Sequence, residues 1–463
     1  MQTSDHAPWA QEEFGHAAIG DARRTRRLVA VAAAAAARPA GRITQVLEAP
    51  AERTAAFRLV ENDAADAGAI ARAAHGACAR RCAGHAFVFV PVDGSSLNLT
   101  DLARSKDLGV VGARSIGARG LQVMSAIAVL PDGTPAGICG QLWWARKGRA
   151  RRKARDRRAV RSKETQYWLD TMQRVRDVFA EHAPAVRPWF QLDRGGDAWP
   201  VLLDGLHPDQ LFTVRAAHDR RLWTTADEPR QRLWAKLEEQ PLLGRYDLEV
   251  PSRPGRTGRT AHMELRACEV TFDIAPPGKA YRCHATLWAV LAYEVDSAPS
   301  PAEAIEWMLL TTHPVRSMED AQLVLDGYAK RWRIEEFHRL WKSGACNVED
   351  TQLRDRPAIL RWATILASVA MRLLRLTYLA RTQPAVPATV ELTQPEIDAV
   401  VAMKKPLGFR RGDIPPIGLV VRWLADLGGY TGKSSGGPPG AIVIRRGIER
   451  IQCLASYFAS EEM

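Results

Sequence analysis

Three acidic residues occupy positions that a phosphodiester-cleaving centre would use. Asp93 closes the apolar run AFVFVPVD that starts at Ala86, and Asp193 closes the shorter run WFQLD that starts at Trp189. A continuous apolar run of this length suits a buried strand, which carries its terminal acid to one end of a sheet. The third acid, Glu335, lies in an unusual helical segment, YAKRWRIEEFHRLWK, from Tyr328 to Lys342. Positions i, i+3, i+7, i+11 and i+14 share one helix face. That face normally carries Leu or Ile; here it carries Tyr328, Arg331, Glu335, Arg339 and Lys342. One acid among three bases and a phenol suits a helix that holds a metal-binding carboxylate beside phosphates. Three such carboxylates can hold two divalent ions about 3.5–4 Å apart, one activating the attacking oxygen and one stabilising the leaving oxygen. Oxygen ligands and phosphates favour Mg²⁺, with Mn²⁺ as a substitute.

The competing reading makes Asp93 and Asp193 turn or cap residues. Asp197, four residues after Asp193, is a rival ligand, with Asp193 preferred. Glu336 points about 100° away from Glu335 on a helix and is expected to pair with a base elsewhere. His338 is a structural or DNA-facing residue. A metal-activated water needs no protein nucleophile, so Ser95, Ser96 and Ser162 need not be catalytic.

The elements that must position these groups follow from the pattern around them. Residues 1–80 read as helices, with Asp21 capping one over Arg23–Ala37 and others near 51–61 and 67–82. Arginines on the exposed faces of this module fit either DNA binding or a soluble bundle. After the strand ending at Asp93, Leu121–Leu130 and Pro135–Trp144 read as strands joined by the turn Pro131–Gly133, an antiparallel meander. Gly148–Lys163 is the densest basic run; it is a phosphate contact or a solvated linker. A helix over Lys163–His182 precedes the strand ending at Asp193, and Leu211–Val214 is the next strand. From 218 to about 297 the pattern is β-rich, with strands over Ala261–Ile274 and Ala280–Tyr293. It reads as an extra sheet inserted before the helix that begins near Met318. Trp307 opens the apolar run Trp307–Thr311, an ordinary core position on pattern alone. Helices follow over Arg356–Ala380, Gln394–Ala402, Ile417–Gly428 and Ile442–Phe458, the last broken near Gly447.

The chain has 463 residues, enough for several domains around a large core. Its 46% apolar content is that of a globular protein. The 64 Lys and Arg against 52 Asp and Glu give a formal charge of +12, an excess that fits nucleic acid as a partner. Seven scattered cysteines read as reduced thiols of a cytosolic protein. The start is polar and acidic rather than a signal peptide, and the Ala-rich run Val29–Ala37 is too short to cross a bilayer.

The spacing Tyr328-x2-Arg331-x3-Glu335-x6-Lys342 resembles the Tyr-Arg-Glu-Lys signature of bacterial insertion-sequence transposases, a DDE class with an RNase H-like core. DARRTRRLV at 21–29 is similar to that family's N-terminal DNA-recognition region, and WLADLGGYTG at 423–432 to its C-terminal end. The order of meander, second Asp, β insertion and Glu helix is also the family's, so the resemblance covers nearly the whole chain. It implies an α/β fold with an RNase H-like core interrupted by a β-rich insertion and flanked by helical domains. The implied boundaries are a DNA-end-recognition domain at 1–80, core at 81–217, insertion at 218–300, core with the Glu helix at 301–375, and a mainly helical dimerisation domain at 376–463. Asp93, Asp193 and Glu335 take the catalytic and metal-holding positions, with two Mg²⁺ (or Mn²⁺) per site. Tyr328, Arg331, Arg339 and Lys342 take DNA-contact positions, as do Arg23, Arg26 and Arg27. Trp307 matches the aromatic on which a flipped base stacks, where an indole is a sequence-tolerant platform. The implied partners are double-stranded DNA with terminal inverted repeats, target DNA and a second copy of the chain in the synaptic complex. The free protein would be a monomer, in a bacterial cytoplasm and not in a membrane. The implied reaction nicks the element end, forms and opens a hairpin, and joins the 3′-OH to target DNA. Other readings are a structure-specific nuclease on the same core, or a DNA-binding derivative without catalysis. Gly94-Ser95-Ser96 departs from the threonines usual after the first Asp, which alters a loop without removing a ligand.

Overall fold

The computed structural model describes residues 7–112, 117–146, 164–207, 210–224, 230–250, 258–274, 282–296, 298, 304–432 and 437–461. The basic run Gly148–Lys163 lies outside them.

Helices α1 (Ala7–Phe14), α2 (Ala22–Ala37), α3 (Ile43–Val46), α4 (Pro50–Val60) and α5 (Ala67–Arg81) come first. Asp21 caps α2 as the sequence predicts, its carboxylate accepting from Arg23 N at 2.7 Å. Removing that acceptor costs roughly 1 kcal/mol, so Asp21→Ala should lower the urea midpoint slightly; an unchanged midpoint would mean that packing alone holds α2.

The sheet follows. Its strands are β1 (Phe87–Asn98), β2 (Gly109–Val110), β3 (Arg119–Val129), β4 (Pro135–Trp144), β5 (Arg187–Leu192), β6 (Leu211–Arg215), β7 (Gly244–Val250), β8 (Arg259–Ile274), β9 (Cys283–Val295) and β10 (Glu306–Thr311). Among the described residues they form one mixed, open sheet in the order β2-β3-β1-β5-β6-β10-β9-β8-β7, with β4 on β3. β1 runs parallel to β5 and β5 to β6, while β3, β10, β9, β8 and β7 join antiparallel. The β-rich insertion is therefore not a separate sheet. The pairing Glu306–Thr311 with Trp288–Tyr293 welds it to the central strands.

Apolar residues cover both faces. On one, Val88, Val90 and Val92 meet Phe190, Phe212 and helix α6 (Thr165–His182), through Trp168, Met172 and Phe179. Short helices α7 (Trp199–Asp204) and α8 (Leu233–Glu238) extend that layer. On the other face, Phe89 and Trp189 meet α9 (Met318–Lys330) and α10 (Trp332–Arg339). Gly327 lets α9 lie against β1, since a Cβ there would stand 2.4 Å from the Phe89 ring.

Helix α11 (Arg356–Thr382) is long and apolar enough to cross a membrane, yet 83% of its most apolar window is buried inside the fold. It ties the N-terminal helices down. Arg361 Nη1 donates to Val60 O at 2.7 Å, and Trp362 Nε1 to Gly41 O at 2.7 Å. Helices α12 (Gln394–Lys404), α13 (Ile417–Leu427) and α14 (Ala441–Glu461) complete the chain. The expected break at Gly447 is absent. Gly447 instead marks where α14 crosses α13, since a Cβ there would stand 2.0 Å from Leu424 O. The seven cysteines are free.

Candidate active site and nucleic-acid interface

The parallel ladder of β1 and β5 ends at the pair Val92–Leu192. Asp93 and Asp193 are the next residues on each chain, so the two carboxylates leave the ladder side by side on the face that carries Phe89 and Trp189. Asp93 is not the end of its strand, as the apolar run predicted. β1 continues to Asn98 because β3 still pairs with it, Asp93 opposite Ser125. The site thus sits where the sheet splits, β1 going on with β3 while β5 turns away. Asp193 also does what the competing reading proposed: it caps a 3₁₀ turn at Arg194–Gly196, accepting from Gly195 N at 2.7 Å.

Glu335 comes from α10, which packs on β1. The long helix expected over Tyr328–Lys342 is not continuous. It is divided at Arg331, and Leu340–Gly344 winds as a π-turn; Tyr328, Arg331 and Glu335 stay on one face, with the Arg331 guanidinium 5.8 Å from the Tyr328 ring centre, and Lys342 lies beyond the π-turn. Tyr328 is buried and meets the half-buried Trp307 edge-to-face at 5.4 Å. Arg331 is buried at the bend and gives Nη2 to Glu335 Oε1 at 2.9 Å. Arg339 is exposed. Lys342 turns toward Glu349, 3.8 Å away, and Glu349 also accepts from Asn98 N at 2.8 Å. Glu336 turns away as expected, accepting from the Tyr378 hydroxyl at 2.7 Å and lying 3.7 Å from Arg333. His338 is structural: it is buried, and burial, with the Lys342 charge, pushes its pKa down to about 3.

The acids feel one another. Burial, then the charge of Asp193, pushes the Asp93 carboxyl up to about 7; Arg331 opposes the rise and Glu335 adds to it. A carboxyl raised by burial and, next, by a neighbouring acid is one whose ionised form a cation would favour. Yet among the described residues no three His, Cys, Asp or Glu side chains gather closely enough to hold an ion. Glu335 is held by Arg331.

Sequence reasoning left two residues without their part. Asp197, weighed only as a rival ligand, is fully buried and committed elsewhere. It accepts from Ala217 N at 2.6 Å, His218 N at 3.2 Å and Arg220 Nη1 at 2.7 Å. It clamps the Asp193 turn to the chain leaving β6, and no local pattern announces such a long-range role. Arg215, at the end of β6, gives Nη2 to Glu306 O at 2.7 Å beside Trp307.

In the N-terminal helices Arg23 and Arg26 are exposed and Arg27 half-buried, all near the start of α2. Cations there oppose the helix dipole, so helix stability does not explain them. A family model for transposase DNA-binding domains matches residues 6–65. The chain carries a transposase-type DNA-binding domain. That match spans α1 to α4 and includes all three arginines.

Proposed function

We propose that this chain is a DNA transposase that binds the terminal inverted repeats of its own element, cleaves the DNA at those ends through a hairpin, and joins the 3′-OH ends to target DNA as a homodimer. The observation that carries this reading is the electrostatic meeting of Asp93 with Asp193, Glu335 and Arg331 where the parallel ladder ends. The domain match at residues 6–65 supports DNA as the partner. The strand order, with the meander of β1, β3 and β4 beside β5 and β6, supports the RNase H-like core.

Asp93 and Asp193 would hold a divalent cation, with Glu335 joining them on leaving Arg331. Such an ion, Mg²⁺ or Mn²⁺, would activate water and stabilise the leaving oxygen. Arg331 then turns from Glu335 to a phosphate, where a buried guanidinium is worth most. Trp307 offers an indole edge beside Tyr328 for a flipped base. Arg339 and Lys342 face the backbone, and Arg23, Arg26 and Arg27 read the element end. The ion pair of Arg331 with Glu335 favours a second reading, a DNA-binding derivative that does not cut.

The test incubates the protein with inverted-repeat DNA flanking its own gene and Mg²⁺ or Mn²⁺, beside Glu335→Ala. Hairpins and excised ends are expected from the wild type alone, while the variant binds the ends equally well. Binding without cutting by the wild type would leave the second reading. Cutting of structured DNA without strand transfer would identify a nuclease.

A further inference from the structure

Among the described residues the sheet presents an exposed face four strands from Asp193 in the sheet order. β7 pairs with β8 only as far as Leu265. Beyond it, residues 221–223 take the edge of β8: Leu222 bridges to Phe272, and Trp223 N donates to Thr271 O at 2.7 Å. Leu222 packs beside Phe272 in the core, where α8 closes that side with Leu233 and Leu237. Strand alternation sends Arg221 and Trp223 to the opposite face.

The register sets out that face in two rows. Trp223 lies beside Thr271 and Thr286, and Arg221 beside Asp273 and His284. The Trp223 indole is 44% exposed, and its ring centre is 5.1 Å from that of the exposed His284. The hydroxyls of Thr271 and Thr286 are 2.9 Å apart. Arg282 donates Nε to Asp273 at 2.6 Å and matches its charge. Arg221 is exposed, and its side chain has no partner among the described residues.

We propose that this face is a platform for the unpaired bases of a DNA strand, with Trp223 as the stacking ring. An indole stacks on any base, so such a platform tolerates sequence. The threonine hydroxyls and the imidazole offer hydrogen bonds to base edges, and Arg221 can take a backbone phosphate. A protein partner would need a wider apolar centre than one indole among polar side chains. The proposal rests on DNA being the partner and does not depend on the acid cluster.

Anisotropy with a labelled oligothymidine, beside a labelled duplex of the element end, tests it. Trp223→Ala should weaken oligothymidine binding about tenfold, with Trp223→Phe retaining most of it and duplex binding unchanged. Circular dichroism and melting temperature check that each variant folds. An oligonucleotide carrying 5-iododeoxyuridine should photocrosslink to Trp223 in the wild type. Equal oligothymidine affinity in folded Trp223→Ala, or crosslinks that map elsewhere, would overturn the platform while leaving the duplex reading intact. A wild type that binds neither DNA overturns both.

Discussion

Replacing Asp93 by asparagine is expected to abolish DNA cleavage and, at pH 8 without divalent cations, to make the protein more stable. The Asp93 carboxyl is held up at about 7, first by burial and then by Asp193. An acid whose folded pKa lies above its unfolded value stabilises the fold while protonated, below about pH 4, and loses that contribution as pH rises through about 7. At pH 8 the ionised Asp93 is therefore a liability. The displacement corresponds to about 4 kcal/mol, which partial solvent access reduces to about 2 kcal/mol. Asparagine keeps an oxygen for Gly94 N, which Asp93 Oδ1 engages at 2.8 Å, and removes the charge. Its melting temperature should exceed that of the wild type by roughly 2 °C at pH 8, and the gap should close near pH 4. Mg²⁺ should narrow the gap at pH 8 by stabilising the wild type alone. Equal melting at pH 8 would remove the case for a costly buried charge at Asp93. A gap that ignores Mg²⁺ and Mn²⁺ would count against a metal site while leaving the buried charge as its cause.

What the sequence could say depended on how far each feature reaches along the chain. The strand through Val88, Val90 and Val92 was legible because both sheet faces are buried there, which leaves an unbroken apolar run. The start of α2 was legible because a cap is a matter of three residues. The continuation of β1 past Asp93 was not, because it depends on β3 being a longer partner than β5. Nor was the union of the insertion with the central sheet, which is a choice of partner for β10. The stripe from Tyr328 to Lys342 assumed a steady helical repeat. That repeat holds from Arg331 to Glu335, which pair four residues apart, and fails at the π-turn of Leu340–Gly344, where Lys342 meets Glu349 instead. The acids were visible one by one, but their crowding required the register of two strands 100 residues apart in the chain.

Asp197 should prove the most costly of these acids to remove. Its carboxylate is fully buried and serves Ala217 N, His218 N and Arg220 at once, while Arg220 Nη2 donates back to the Asp197 carbonyl at 2.9 Å. Asp197→Ala leaves a largely buried guanidinium and two backbone donors without their acceptor. Breaking a buried pair from one side costs about 3–5 kcal/mol, and urea unfolding should show a loss of that size. Asp197→Asn keeps an acceptor and loses the charge, so a smaller loss, roughly 1–3 kcal/mol, is expected. Replacing Arg220 with Met in the Asp197→Ala background should restore part of the stability, because the orphaned charge goes with it. The same clamp fixes the turn that Asp193 caps. Asp197→Asn should therefore cut DNA more slowly while binding the element ends as before, since Arg23, Arg26 and Arg27 lie on α2, outside the clamp. A loss below about 1 kcal/mol in Asp197→Ala would show that the loop after β6 holds its own shape. Asp193 would then owe its position to the 3₁₀ turn alone.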